Sequence, residues 1–331
     1  MNKQCPDSTL PVIGVDLGGT NARAAIIVGA RIIADVRRAT PATSGAAAVN
    51  DVLLSAVAEL LARPEGRAVS AIGLGIPGLI DVAHGVCRFS PNLHWRDEPV
   101  ADLFHERFHL PVAMDNDVRV ATFGELVFGA GRGVANFVCV TVGTGIGSGI
   151  VLGGRLYRGP GFAAGEVGHQ TLEPSGRPCK CGSRGCLETL AAAPAIALAG
   201  REAAAAGRAP ELARLSGGDP ECIDASLVAK AAAIGDAGAR AVLARAGEYL
   251  GIGLANIANI LNPERIIVGG GVANAGELLL GPVRRALQER AMPVNRQMAE
   301  VVPAELGADA GLIGAGALAR LAAQNQRWWE Q

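Results

Sequence analysis

Three short apolar runs that end in glycine constrain this chain more than any other feature. Val12–Val15 enters Asp16-Leu-Gly-Gly-Thr-Asn21, Phe137–Val142 enters Gly143-Thr-Gly-Ile-Gly-Ser-Gly149, and Arg265–Val268 enters Gly269-Gly-Gly271. Apolar runs cut off by glycine read as strands closed by tight turns. Without a Cβ, the turn amides are free to approach phosphate oxygens. A single such turn is simply a bend, but three at strand ends point to a nucleotide held at several places. The common phosphate loop is excluded because it needs a Gly-Lys pair, which never occurs here. The dinucleotide fingerprint fails at the second and third turns, where Ser148 and Asn274 replace the required last glycine.

The first turn joins Val12–Val15 to Ala24–Val28 and reads as a hairpin. Ala47–Leu61 has helical periodicity and stops before Pro64, and Ala71–Ile76 is a strand stopped by Pro77-Gly78. The strand Pro111–Met114 delivers Asp115-Asn116-Asp117, and Val118–Val127 follows as a helix. Leu190–Leu215 is Ala-rich and helical, and Ser216–Asp224 is a loop. Asp236 caps a long helix to about Leu261, closed by Asn262-Pro263. Val301–Pro303 reads as a last strand before a helix over Ala310–Gln324. A length of 331 residues predicts two lobes, and the recurring strand-glycine units hint at an internal duplication.

Formal net charge is −1 and the isoelectric point about 6.5, which argues against a nucleic-acid or anionic-membrane partner and for a small molecule. Mean hydropathy is +0.29, but polar or glycine interruptions rule out a spanning segment, and MNKQCPDSTL lacks a signal-peptide core. The expectation is a cytoplasmic protein. Of seven cysteines, Cys5, Cys87, Cys139 and Cys222 are scattered, whereas Cys179, Cys181 and Cys186 are crowded. His169-x9-Cys179-x-Cys181-x4-Cys186 supplies four ligands and no open position, the pattern of a structural zinc. Three free core thiols are the alternative, but Lys180, Gly182, Ser183, Arg184 and Gly185 between them are loop-like.

In order, Asp16-Leu-Gly-Gly-Thr-Asn-Ala-Arg23, Gly75-Ile-Pro-Gly78, Asp115-Asn-Asp117, the glycine run 143–149, Gly165-Glu-Val-Gly-His169, Cys179-x-Cys181-Gly-x-x-Gly-Cys186 and Gly269-Gly-Gly271 resemble the ROK family of bacterial sugar kinases and repressors. The resemblance implies an actin-like ATPase (ribonuclease H-like) α/β fold of two lobes, each on a mixed five-stranded sheet, with ATP and sugar in the cleft. Residues 1–117 are the expected N-terminal lobe and 118–300 the C-terminal lobe, with 301–331 returning as a helix to the first. Gly18, Gly19, Thr20 and Asn21 become candidates for the β- and γ-phosphates, with Asp16 near Mg²⁺. Thr144 and Gly145 are expected to face the phosphates as well, and Gly270 and Gly271 to lie under the adenosine.

Phosphoryl transfer to a hydroxyl needs a positioned carboxylate to accept its proton, and the resemblance assigns that base to Asp117. Local sequence alone supports equally well an Asx turn in which Asp115, Asn116 and Asp117 cap the next helix. Carried over one at a time, the sugar contacts are Asn92, Asn116, Asp117, Glu166, His169 and Glu188, with His169 binding zinc through its other ring nitrogen. Without the resemblance, Glu166 and Glu188 are ordinary surface acids. Val118-Arg119-Val120 departs from the small residues that follow this pair in many relatives, and leaves Arg119 either at the cleft rim or on phosphate.

Ser90-Pro-Asn-Leu-x-Trp95, Gly165-Glu-x-Gly-His169 and Cys186-Leu-Glu188 look most like the glucokinase branch, with N-acetylmannosamine kinases as the nearest alternative and fructokinases third. A non-catalytic sugar-binding protein or a sugar-responsive repressor is the alternative of a different class. The 15 residues before Asp16 and the near-zero charge weigh against the repressor. Relatives lead to the expectation of a homodimer or homotetramer.

Overall fold

The structure, a computed structural model, describes residues 9–324; Cys5, most of the opening stretch read against a signal peptide, and residues 325–331 lie outside the described residues. Contacts divide the chain into two compact units. The first comprises residues up to Gly133, Gly149–Ala164, and Glu305 onward; the second comprises Val134–Ser148 and Gly165–Ala304.

In the first unit, β1 (Val12–Leu17), β2 (Asn21–Val28) and β3 (Arg31–Ala39) form an antiparallel meander, followed by α1 (Ala46–Leu61) and β4 (Ile72–Ile76). A small antiparallel sheet, β5 (Leu79–Asp81), β6 (Val86–Ser90) and β7 (Trp95–Glu98), precedes α2 (Val100–Phe108), β8 (Val112–Asn116) and α3 (Asp117–Phe128). The main sheet runs β3-β2-β1-β4-β8, with β4 parallel to both β1 and β8. Alternation along β1 sends Ile13, Val15 and Leu17 into the large apolar core. Val12, Gly14 and Asp16 therefore point to the opposite face.

The second unit begins with β9 (Phe137–Val142) and the start of β10 (Ile146–Leu152); β10 from Gly149 on and β11 (Arg155–Tyr157) are counted with the first unit. The helices α4 (Glu188–Ala191), α5 (Ala193–Ala205), α6 (Pro210–Leu215), α7 (Ala225–Ala233) and α8 (Ala237–Leu261) follow, then β12 (Arg265–Gly269), α9 (Glu277–Arg290), α10 (Pro293–Met298) and β13 (Glu300–Pro303). The sheet order is β11-β10-β9-β12-β13, with β12 parallel to β9 and β13; the division between units cuts β10 after Ser148. Each five-stranded sheet thus has a glycine-turn hairpin followed by parallel strands, the mixed architecture the family resemblance implies. The third glycine turn, after β12, corresponds in this order to the Pro77-Gly78 turn after β4 and not to a hairpin.

The expected single helical stretch Leu190–Leu215 is three helices. Ala192 is extended, with Pro194 just inside α5, and Gly207 adopts a positive φ of 69° before Pro210 opens α6. Buried Asp236 caps α8 through Ala239 N at 2.8 Å, as expected, and its other oxygen accepts from Glu211 N and Leu212 N at the head of α6.

The chain returns to the first unit as α11 (Ala310–Gln324). Its Ala and Gly content lets it approach the sheet closely: a Cβ on Gly73 of β4 would lie 1.8 Å from the Ala315 carbonyl oxygen. Likewise, a Cβ on Gly314 would lie 1.9 Å from the Val120 carbonyl of α3. This packing keeps α3 with the first unit, so the boundary falls after Gly133 and not at the expected 117/118. Among the described residues, no helix is long and apolar enough to cross a membrane.

Candidate active site

In the first unit, Gly18 N donates to Asn21 O at 2.9 Å, closing the turn that carries Gly19 and Thr20. Thr40, just beyond β3, braces it: its hydroxyl donates to Gly18 O at 2.8 Å and its amide to Thr20 O at 2.9 Å. Sequence reading missed Thr40 because nothing local marks a residue that far along the chain. Asp16, on the face of β1 opposite the core, lies over the start of α11. A Cβ on Gly311 would stand 2.6–2.8 Å from its carboxylate atoms, so only glycine leaves room there. Burial raises the Asp16 pKa, and Arg23, its register partner on β2, offsets part of that rise.

Asp117 is the first residue of α3. The capping reading describes its neighbour: Asn116 is the N-cap, and its Oδ1 accepts from Val118 N at 3.0 Å and Arg119 N at 3.2 Å. Asn116 Nδ2 donates to Gly78 O at 3.2 Å, so much of this amide is committed to the protein itself. Asp117 is half-buried, and burial followed by the nearby Asp16 charge pushes its carboxyl up to about 6.

Neither position left open for Arg119 is the one found. It is 3% exposed and turned inward, with Nε 2.6 Å from Asp115 Oδ1 and Nη1 2.9 Å from the Phe162 carbonyl. The other Asp115 oxygen accepts from Arg158 Nε at 2.7 Å, and the two guanidiniums hold this buried carboxyl below its ordinary value against the cost of burial. Asn92 is exposed on the turn between β6 and β7, anchored by buried Leu93 and Trp95.

In the second unit, the turn after β9 closes through Gly143 N to Gly145 O at 2.9 Å. Glu188 Oε2 accepts from Ile146 N at 2.9 Å, and a Cβ on Gly145 would lie 2.5 Å from that oxygen. One carboxylate oxygen of this predicted sugar contact is therefore already used to fix the turn. Gly270 adopts φ 87° with Val142 backbone against it, a conformation that requires glycine. Thr144 and Gly271 line one cavity of about 650 Å³ together with Asp224, Ser226, Lys230 and Asn274. Asp224, Ser226 and Lys230 were missed because only the fold brings α7 beside the turns, whereas Asn274 simply continues the third turn.

His169, Cys179, Cys181 and Cys186 present donor atoms all within 4.8 Å of one another. Cys181 and Cys186 Sγ are 3.7 Å apart, and Cys179 Sγ is 3.6 Å from His169 Nδ1. Those separations are too long for a disulfide, and they match the roughly 3.7 Å edge of a tetrahedron with zinc–sulfur bonds of about 2.3 Å. Burial pushes the Cys186 thiol up to about 12, so a bound cation, and not neutral pH, would make it a thiolate. His169 Nε2 is 3.9 Å from the exposed Glu166 carboxylate, which leaves Nδ1 as the metal-facing nitrogen.

The sequence profile of the ROK family matches residues 12–322. The chain is 39% identical to a glucokinase of Halalkalibacterium halodurans over 312 residues, 93% of this chain and 94% of that protein. It is 32% identical to the xylose repressor of Bacillus spizizenii, over 80% of this chain but 65% of the repressor. Among solved structures it is similar to a ROK family glucokinase from Streptomyces griseus in complex with glucose and AMPPNP. There the TM-score is 0.84 and the identity 38%, covering 94% of this chain and 99% of that one.

Proposed function

The chain belongs to the ROK family, and on that premise we propose that it moves the γ-phosphoryl group of ATP onto the 6-hydroxyl of glucose. One site observation carries the chemistry: Asp117 stands at the junction of β8 and α3, where burial and then the nearby Asp16 charge push its carboxyl up to about 6, suited to a base that works at neutral pH. Its carboxylate takes the hydroxyl proton as the sugar oxygen bonds to the γ-phosphorus and the bond to the ADP oxygen breaks. Nearly end-to-end similarity to glucokinases, against partial coverage of a repressor, supports glucose as the acceptor.

The remaining roles proposed are those that the family resemblance implies for these residues. Asn92, Asn116, Glu166, His169 and Glu188 contact the sugar; Gly18, Gly19, Thr20 and Asn21 approach the terminal phosphates. Thr144 and Gly145 also face phosphate, and Gly270 and Gly271 lie under the adenosine. Mg²⁺, which neutralises the β- and γ-phosphate oxygens, would be held near Asp16. Zinc, a structural cross-link, would be held by His169, Cys179, Cys181 and Cys186. The protein is expected to act in the cytoplasm as a homodimer or homotetramer, which light scattering of the purified protein checks.

The test is ADP release with Mg²⁺-ATP against glucose, mannose, N-acetylmannosamine, N-acetylglucosamine and fructose. Preference for glucose supports the proposal; preference for N-acetylmannosamine moves the chain to that branch, and no turnover with any sugar sinks the kinase reading.

A further inference from the structure

We propose that Arg119 is a positioning residue for the sugar: it ties the Arg158–Ala164 loop to the strand end that carries Asn116 and Asp117. The inference rests on the sugar-kinase reading, and its first observation is the geometry of Asp115. That carboxylate accepts from Arg119 Nε at 2.6 Å, Asn116 N at 2.7 Å and Arg158 Nε at 2.7 Å, so strand end, helix start and loop meet on one side chain.

The second observation is Phe162. Its φ of 55° is left-handed, a conformation that costs energy for a bulky aromatic residue and that clusters at functional sites. The Phe162 ring packs against the apolar core, and its carbonyl oxygen accepts from Arg119 Nη1 at 2.9 Å. The loop is closed further by Phe162 N to Gly159 O at 3.2 Å and Ala164 N to Arg158 O at 3.0 Å. From Ala164 the chain runs directly into Gly165 and Glu166.

The third observation is a cost. Arg119 Nη2 is buried without a partner, and a buried unsatisfied donor is unfavourable. A smaller neutral side chain would avoid that penalty, but only a planar fork reaches both Asp115 and Phe162.

Arg119→Met and Arg119→Lys in the full chain test this. Hydrogen exchange of the 159–164 amides is expected to quicken, about ten-fold or more in Arg119→Met and less in Arg119→Lys. The KM for glucose is expected to rise about ten-fold with the KM for ATP within about two-fold, since the tie holds residues assigned to the sugar and none assigned to the nucleotide. A merely structural role would lower the melting temperature and leave that split unmoved. Folded variants with wild-type loop exchange, or with both KM values raised equally, would overturn the inference. If Arg119→Met does not fold, Arg119→Lys decides. If the wild-type protein turns over no sugar, the kinase reading fails by itself and the exchange measurement alone judges the tie.

Discussion

The Glu188 carboxylate accepts the backbone N–H of Ile146 at 2.9 Å, and so the helix start that follows the cysteine cluster fixes the glycine turn after β9. A residue assigned to the sugar from its motif also shapes the turn assigned to phosphate.

Glu188→Ala should therefore raise the KM for ATP as well as for glucose. Losing a charge-assisted hydrogen bond to the backbone costs about 1.5–3 kcal/mol. Glu188→Gln, which keeps an acceptor, should lose less than half of that. Urea unfolding and the two KM values check it; an effect on glucose alone would contradict the dual role.

Asp117→Asn should lower kcat by about 10²–10⁴ and yet stabilise the protein. A carboxyl raised to about 6 in the folded state contributes stability that is full below pH 4 and lost as pH rises through about 6. The variant lacks that loss, so its advantage should grow from near zero at pH 4 to at most about 3 kcal/mol at pH 8. In the wild type, kcat/KM should fall on the acid side near pH 6, and at lower pH once Mg²⁺ is bound. Denaturant titrations at both pH values measure the sign, and a variant less stable at pH 8 would contradict it.

Removing zinc should cost both stability and sugar affinity. With the metal on His169 Nδ1, its removal frees the ring and the segment from Glu166 to Glu188. Chelation or Cys186→Ser is expected to lower the melting temperature and raise the KM for glucose. Elemental analysis should find about one zinc per chain.

How much of this was legible in the sequence depends on how local each feature is. The first hairpin and the four metal ligands were legible from short motifs and their spacing, whereas the roles of Asp16 and Asp117 came only from the family resemblance of the motifs that carry them. β3 was missed because its charged residues, Arg31, Asp35, Arg37 and Arg38, hide the apolar alternation of an edge strand. Thr40, Lys230 and the bond from Arg119 to Phe162 join segments distant in sequence, where no local pattern survives. Asn116 shows the opposite case: its Asx cap was read correctly as one of two alternatives, and the structure assigns the cap to Asn116 while leaving Asp117 to begin the helix.

Gly311→Ala should impair activity through Asp16. The added methyl would sit within 2.6–2.8 Å of the carboxylate atoms, forcing Asp16 or the head of α11 to move. Overpacking of this kind costs about 1–3 kcal/mol. The Mg²⁺ concentration for half-maximal activity should rise, and an unchanged Mg²⁺ dependence would argue against Asp16 lying near the metal.

The central claim is that this chain phosphorylates glucose with Asp117 as the base, and a single turnover tests it most directly. Enzyme in excess over γ-labelled ATP is mixed with Mg²⁺ and glucose, and labelled sugar phosphate is followed for wild type and Asp117→Asn in parallel. The account predicts glucose 6-phosphate from the wild type and a rate about 10²–10⁴ lower from the variant, with ATP still bound. Equal rates from the two proteins, or no labelled sugar from folded, zinc-loaded wild type, would contradict it.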